Sequence, residues 1–201
     1  MEFKDKVLDD LVARIRALEA EVEARVAEQR AQFRYRVERN RIRFEHGVQA
    51  GHRVFRRGLW EQLRRSPIAF YLVSPFIYAL IIPLSLLDLV LTVYQAVCFP
   101  VYGIKKVPRS DFVVVDRHHL AYLNPLEKLN CVYCGYGNGV LGWAREIAAR
   151  TEEYWCPIKH ARRVRAPHSR YVHFADYGAA LEYRRRLGQL REHAKGDFEG
   201  E

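Results

Sequence analysis

The sequence predicts a mainly α-helical membrane protein: a long coiled-coil-like N-terminal helix, a short transmembrane or re-entrant helical hairpin, a small α+β metal-binding domain and a C-terminal helix. Three observations predict it. Residues 66–103 contain no Lys or Arg and only one acid, Asp88. An eleven-residue apolar repeat runs from Val7 to Val48 without a proline. Cys131, Cys134, Cys156 and His160 follow the apolar run at metal-ligand spacings. The expected parts are residues 1–65, 66–104, 105–174 and 175–201.

The repeat reads Val7, Leu11, Ile15; Leu18, Val22, Val26; Gln29, Phe33, Val37; Asn40, Phe44, Val48. Its period is about 3.67 residues per turn, so the stripe runs almost straight along one helix covering residues 1–65. A narrow apolar stripe on a charged helix needs a second surface to bury it. Homo-oligomerisation through residues 1–50 is therefore expected, with Gln29 and Asn40 as register-setting polar layers. Charge is graded along this part. Residues 1–28 hold five Lys/Arg against eight Asp/Glu, and residues 29–66 eleven against three. The basic half adjoins the apolar run, which suits an anionic leaflet at about 1 kcal/mol per basic residue. An acidic far half argues against nucleic acid as the ligand, although the whole chain carries +9.

A bilayer core of about 30 Å takes about 20 helical residues, so residues 66–103 are long for one span and slightly short for two. Pro83 divides them into Pro67–Ile82 and Leu84–Tyr102. That predicts a tight hairpin turning at Pro83–Ser85; one span kinked at Pro75 and Pro83 is the alternative. Arg53, Arg56, Arg57, Arg64 and Arg65 precede the run, and Lys105, Lys106 and Arg109 follow it. The positive-inside tendency places both flanks on the cytoplasmic face, which a hairpin satisfies. With Arg outnumbering Lys, as a GC-rich bacterial genome would favour, the expected location is a bacterial inner membrane with both termini cytoplasmic. Asp88 is expected near the turn, satisfied by water or a freed backbone N–H.

Cys98 reads as a small hydrophobe within the run. Cys131-x2-Cys134 lets two thiolates of one turn face one ion. Cys156 precedes Pro157, a good first helical residue, and His160 returns to the same face one turn later. Three thiolates and an imidazole make a tetrahedral set typical of structural zinc. The six residues Cys131-Val132-Tyr133-Cys134-Gly135-Tyr136 resemble the metal knuckle of rubredoxins and zinc ribbons. A rubredoxin would supply a second Cys pair; here the second pair is Cys and His, which favours zinc over iron. A helix over residues 140–154, capped by Asn138, would separate the two pairs by roughly 20 Å. Gly135, Gly137 and Gly139 are expected to lead the chain back along it.

His118 and His119 follow the strand-like stretch Asp111–Asp116 and would face opposite ways. With Asp116 they are the candidate for a second metal or an acid–base pair. Glu146 and Glu153, seven apart, share one helix face, which is expected to be solvated. No Ser-His-Asp order, phosphate loop or dinucleotide fingerprint is present, so no residues for catalysis are visible. Asp176 is expected to cap a helix over Tyr177–His193, followed by a disordered tail.

These features imply a membrane-anchored oligomeric scaffold or adaptor. The lipid bilayer and a second copy are its expected partners, and its zinc module would dock a protein on the cytoplasmic face. One alternative is a membrane-bound metalloenzyme or electron-transfer module with iron at Cys131, Cys134, Cys156 and His160. Another is a membrane-shaping hairpin protein.

Overall fold

The first helix, α1, covers Glu2–Gln32; the computed structural model describes residues 2–33, 35–38, 41–44 and 47–195. Helix α1 stops where the apolar spacing changes. Tyr35 and Val37, then Ile42 and Phe44, alternate with polar residues, and all four are good strand formers. Accordingly β1 (Tyr35–Glu38) and β2 (Arg41–Phe44) pair antiparallel, with Tyr35 opposite Phe44 and Val37 opposite Ile42. Two short helices follow: α2 (Val48–Arg53), after the left-handed Gly47 with φ 87°, and α3 (Leu59–Arg65). The single helix expected over residues 1–65 is thus corrected to a helix of 31 residues followed by a hairpin. The local period of two overrode the eleven-residue one. Gln29 is exposed on α1; Asn40, its expected companion layer, lies outside the described residues.

Two units are separable along the chain, residues 1–62 with 116–128 and residues 63–115 with 129–201. In the first, His52 packs edge-on to the rings of Phe44 and Tyr122, with centroids 5.8 and 5.6 Å away. Asn124 Nδ2 donates to Gln62 Oε1.

The second unit is built on the apolar run, which does not turn back. Helix α4 (Ile68–Ala79) passes into α5 (Ile81–Tyr102) through Leu80, itself helical at φ −62°, ψ −17°. Together they form one helix, Ile68–Tyr102, long and apolar enough to cross a membrane. The expected hairpin is corrected by the position of Pro83. It is the third residue of α5, where the backbone N–H of a helix has no intrahelical partner to lose. The basic flanks Arg64–Arg65 and Lys105–Lys106 therefore sit at opposite ends of one helix, and the charge argument for two cytoplasmic flanks lapses.

Helix α6 (Pro125–Trp155) lies parallel to this helix. Tyr78 meets Asn130, Tyr136 meets Asp88, Tyr94 meets Thr151 and Tyr102 packs on Tyr154. Parallel neighbours require a return path, and residues 104–115 supply it, running back against both helices. Phe99, Ile104, Val107, Trp143 and Ile147 form the buried core along that path. The expected α+β domain is corrected: among the described residues of 105–174 there is no strand, only an isolated bridge between Ile158 and Ala175. The strand-like stretch after Ser110 finds a helix beside it rather than a strand. Helix α7 (Ala180–Lys195) buries Leu190 and Ala194. It starts three residues later than expected because Gly178 is left-handed, with φ 85°. The tail, residues 196–201, lies outside the described residues.

Candidate functional site

The start of α6 decides where the cysteines go. Asn124 Oδ1 accepts from the Glu127 N–H (3.0 Å), and Glu127 Oε2 accepts from the Asn124 N–H (2.8 Å). With Pro125 as the first helical residue, this is a reciprocal capping box. The sequence signal was Asn124-Pro125-Leu126-Glu127, and it places the helix start fourteen residues ahead of Asn138. Asn138 itself donates to the Cys134 carbonyl within the helix (2.9 Å).

Cys131 and Cys134 therefore stand on α6, while Cys156 follows its last residue. Between Cys134 and Cys156 the helix advances about 33 Å at 1.5 Å per residue. His160 lies in the exposed loop beyond; its N–H donates to Tyr171 Oη (2.6 Å) and its ring stacks on Tyr171. The structure does not bring the four expected ligands together, and all four cysteines are free thiols. Among the described residues no group of three or more His, Cys, Asp or Glu is arranged to hold a metal ion. His118 and His119 form a 3-10 turn with Arg117, and their rings are tilted by 41° with centroids 3.9 Å apart rather than on opposite sides of a strand.

The glycines expected to form a return path are helical instead. A Cβ on Gly139 would lie 2.7 Å from Phe112 O and Val113 Cα, and one on Gly135 3.2 Å from Val114 O. Each glycine in a helix costs about 1 kcal/mol relative to alanine. Here that cost is offset by letting the backbone of residues 112–114 lie directly on α6.

A polar seam runs between the two parallel helices. Asp88 accepts from Arg109 Nε (3.0 Å) and Arg109 Nη2 (2.7 Å), and Tyr136 Oη donates to it (2.9 Å). The lone acid of the apolar run is held by an arginine of the return path, not by water at a turn. Hydrogen bonding to Asp88 pushes the Arg109 guanidinium up from its already high value. Gln95 reads both sides of one peptide: its Oε1 accepts from the Val107 N–H (2.6 Å) and its Nε2 donates to the Val107 carbonyl (3.3 Å). Trp143 Nε1 donates to the same carbonyl (3.0 Å).

The charged face of α6 is buried, which corrects the expectation of a solvated one. Glu153 is 0 % exposed and Arg170 1 %. Arg170 Nη1 donates to Glu153 (2.6 Å) and its Nε to Glu146 (3.4 Å); Arg150 Nε also donates to Glu146 (2.8 Å) and its Nη1 to the Lys105 carbonyl (2.8 Å). Glu146, Arg150 and Glu153 do share a face, as their spacing requires. Arg170, seventeen residues after Glu153, was beyond the reach of periodicity.

The opposite side of the apolar helix is bare. Leu86, Leu89, Val93, Val97 and Val101 are exposed along one side of α5, away from Asp88 and Gln95. Against known proteins the chain matches no family model, and no curated protein or solved structure matches it either. Fold and site together define a mainly α-helical protein with one helix long and apolar enough to cross a membrane.

Proposed function

We propose that this chain is a membrane-anchored scaffold whose N-terminal helix associates with a second copy. One observation carries the anchoring, the distribution of exposed apolar side chains along Ile68–Tyr102. Between Ile68 and Ile82 they ring the helix, with Ile68, Leu72 and Phe76 on one side and Phe70, Val73 and Ile77 on the other. From Leu86 onward they are confined to the side away from the polar seam. The ringed part, 68–82, is about 22 Å long, and the following turns of α5 complete the roughly 30 Å of a hydrocarbon core. The remainder suits protein on one side and lipid on the other. Residues 104–115 and α6 would then hold the soluble part against the end of the anchor through Asp88 and Gln95.

The second half of the proposal rests on α1, where Ile15, Leu18, Val22 and Val26 are exposed on one stripe, Leu18 at 61 %. A chain tethered to a membrane meets its own copies at high effective concentration, which favours self-association through such a stripe. A zinc site of Cys131, Cys134, Cys156 and His160 has no part in this reading, because α6 separates Cys156 from Cys131 and Cys134.

Two measurements test it together: alkaline carbonate extraction of membranes, and light scattering of the detergent-purified chain. The wild type should stay in the pellet and size as more than one chain. Leu18→Glu with Val22→Glu should stay in the pellet and size as one. Extraction of the wild type would end the anchor, and a monomeric wild type would end the self-association.

A further inference from the structure

The loop after α6 carries a second candidate site. Residues 159–167 and Tyr171 enclose a hollow of about 860 Å³. Lys159, His160, Arg162, Arg163 and Arg165 line it, and none of its lining residues is acidic. Lys159 is paired with Asp176 at 3.0 Å. The three arginines are exposed and make no ion pair among the described residues.

Lys159, Arg162, Arg163 and Arg165 on so short a loop repel one another, and a free loop would spread them. This loop cannot. The Lys159 N–H donates to the Ala175 carbonyl (2.8 Å), and the Ala175 N–H to the Pro157 carbonyl (2.9 Å). The His160 N–H is held by Tyr171 Oη (2.6 Å), and Arg145 donates to the Ala166 carbonyl at the far end. Ala166 itself is left-handed at φ 50°, a conformation non-glycine residues adopt only when their surroundings hold them there.

We propose that this loop is a binding site for a phosphate-bearing anion, either free phosphate or the headgroup of an anionic phospholipid. The planar forks of Arg162, Arg163 and Arg165 match phosphate oxygens bidentately, and the tied backbone has already met the ordering cost. The hollow is concave and has room for a phosphate group or for a lipid headgroup that carries one. The site stands whether or not the apolar helix anchors the chain, because soluble probes reach it.

The test is calorimetric titration of the full chain, purified in an uncharged detergent, with inorganic phosphate and with dihexanoyl phosphatidic acid. Saturable binding of at least one of them is expected. Substituting Arg162→Ala, Arg163→Ala and Arg165→Ala together should weaken it at least about tenfold, since each charged hydrogen bond contributes that much or more. Arg53→Ala with Arg56→Ala and Arg57→Ala removes the same charge elsewhere and should leave binding unchanged. Arg163→Glu alone, a single exposed change, should also weaken binding if the triple variant yields too little folded protein. Tighter binding of the lipid than of phosphate assigns the site to a headgroup; equal binding assigns it to free phosphate. No saturable binding of either probe, or equal weakening in both triple variants, overturns the site.

Discussion

At the scale of single residues, the glycines of α6 separate two kinds of close contact. Gly139 faces backbone at 2.7 Å, whereas Gly137 faces only Leu84 Cδ1 at 3.2 Å, the free end of a side chain. Gly137→Ala should therefore be neutral or mildly stabilising, since alanine favours a helix by about 1 kcal/mol over glycine. Gly139→Ala should lose about 1–3 kcal/mol through overpacking. Thermal unfolding in detergent reads the two signs, and a stabilised Gly139→Ala would displace residues 112–114 from α6. The buried pair makes a similar contrast. Glu153→Ala removes the shorter of the two carboxylate contacts of Arg170, leaving the one to Glu146, and should cost up to about 3–5 kcal/mol, while Glu153→Leu with Arg170→Met should recover much of it. Chemical denaturation of the two variants beside the wild type measures both; equal losses would mean that packing, not charge, holds Arg170. Spacing in the sequence placed Glu146 and Glu153 on one face. It could not say that Arg170 would cover them, because that contact depends on where the loop after Cys156 returns.

At the scale of elements, caps and prolines decided what periodicity could not. The reciprocal bonds of Asn124 and Glu127 start α6 early, so Asn124→Ala should cost about 0.5–2 kcal/mol, measured by thermal unfolding. Because α6 is then a rigid ruler, spin labels at Cys134 and Cys156, with Cys98 and Cys131 changed to Ser, should report a spacing near 33 Å. A distance below about 10 Å would mean that α6 does not run unbroken between the two labels. The apolar helix has its own element-level test. Lysine at the centre of an inserted helix costs about 2.5–3.5 kcal/mol, so Phe76→Lys should reduce membrane insertion. Lysine at Phe33, outside the apolar helix, should leave insertion unchanged. The two-stranded hairpin shows why α1 ended early. Val37 and Phe44 belong to the eleven-residue stripe, but with Tyr35 and Ile42 they also make a strand alternation, and residues of these β-branched and aromatic types favour the strand.

At the scale of the molecule, the sequence by itself determined the apolar run and its basic flanks, the exposed stripe on α1 and the need for something to cover each. Those properties follow from composition and local period, which do not depend on how the chain returns. Only the tertiary structure decided that the run is one helix, that Asp88 is held by Arg109, that the glycines of α6 receive a backbone strip and that Cys156 lies far from Cys131 and Cys134. The Arg109 contact and the backbone strip on α6 depend on residues 104–115 running back against both helices. That path is fixed by peptide contacts such as Gln95 with Val107 and Phe112 with Gly139, between residues twelve to twenty-seven apart, and no local spacing records it.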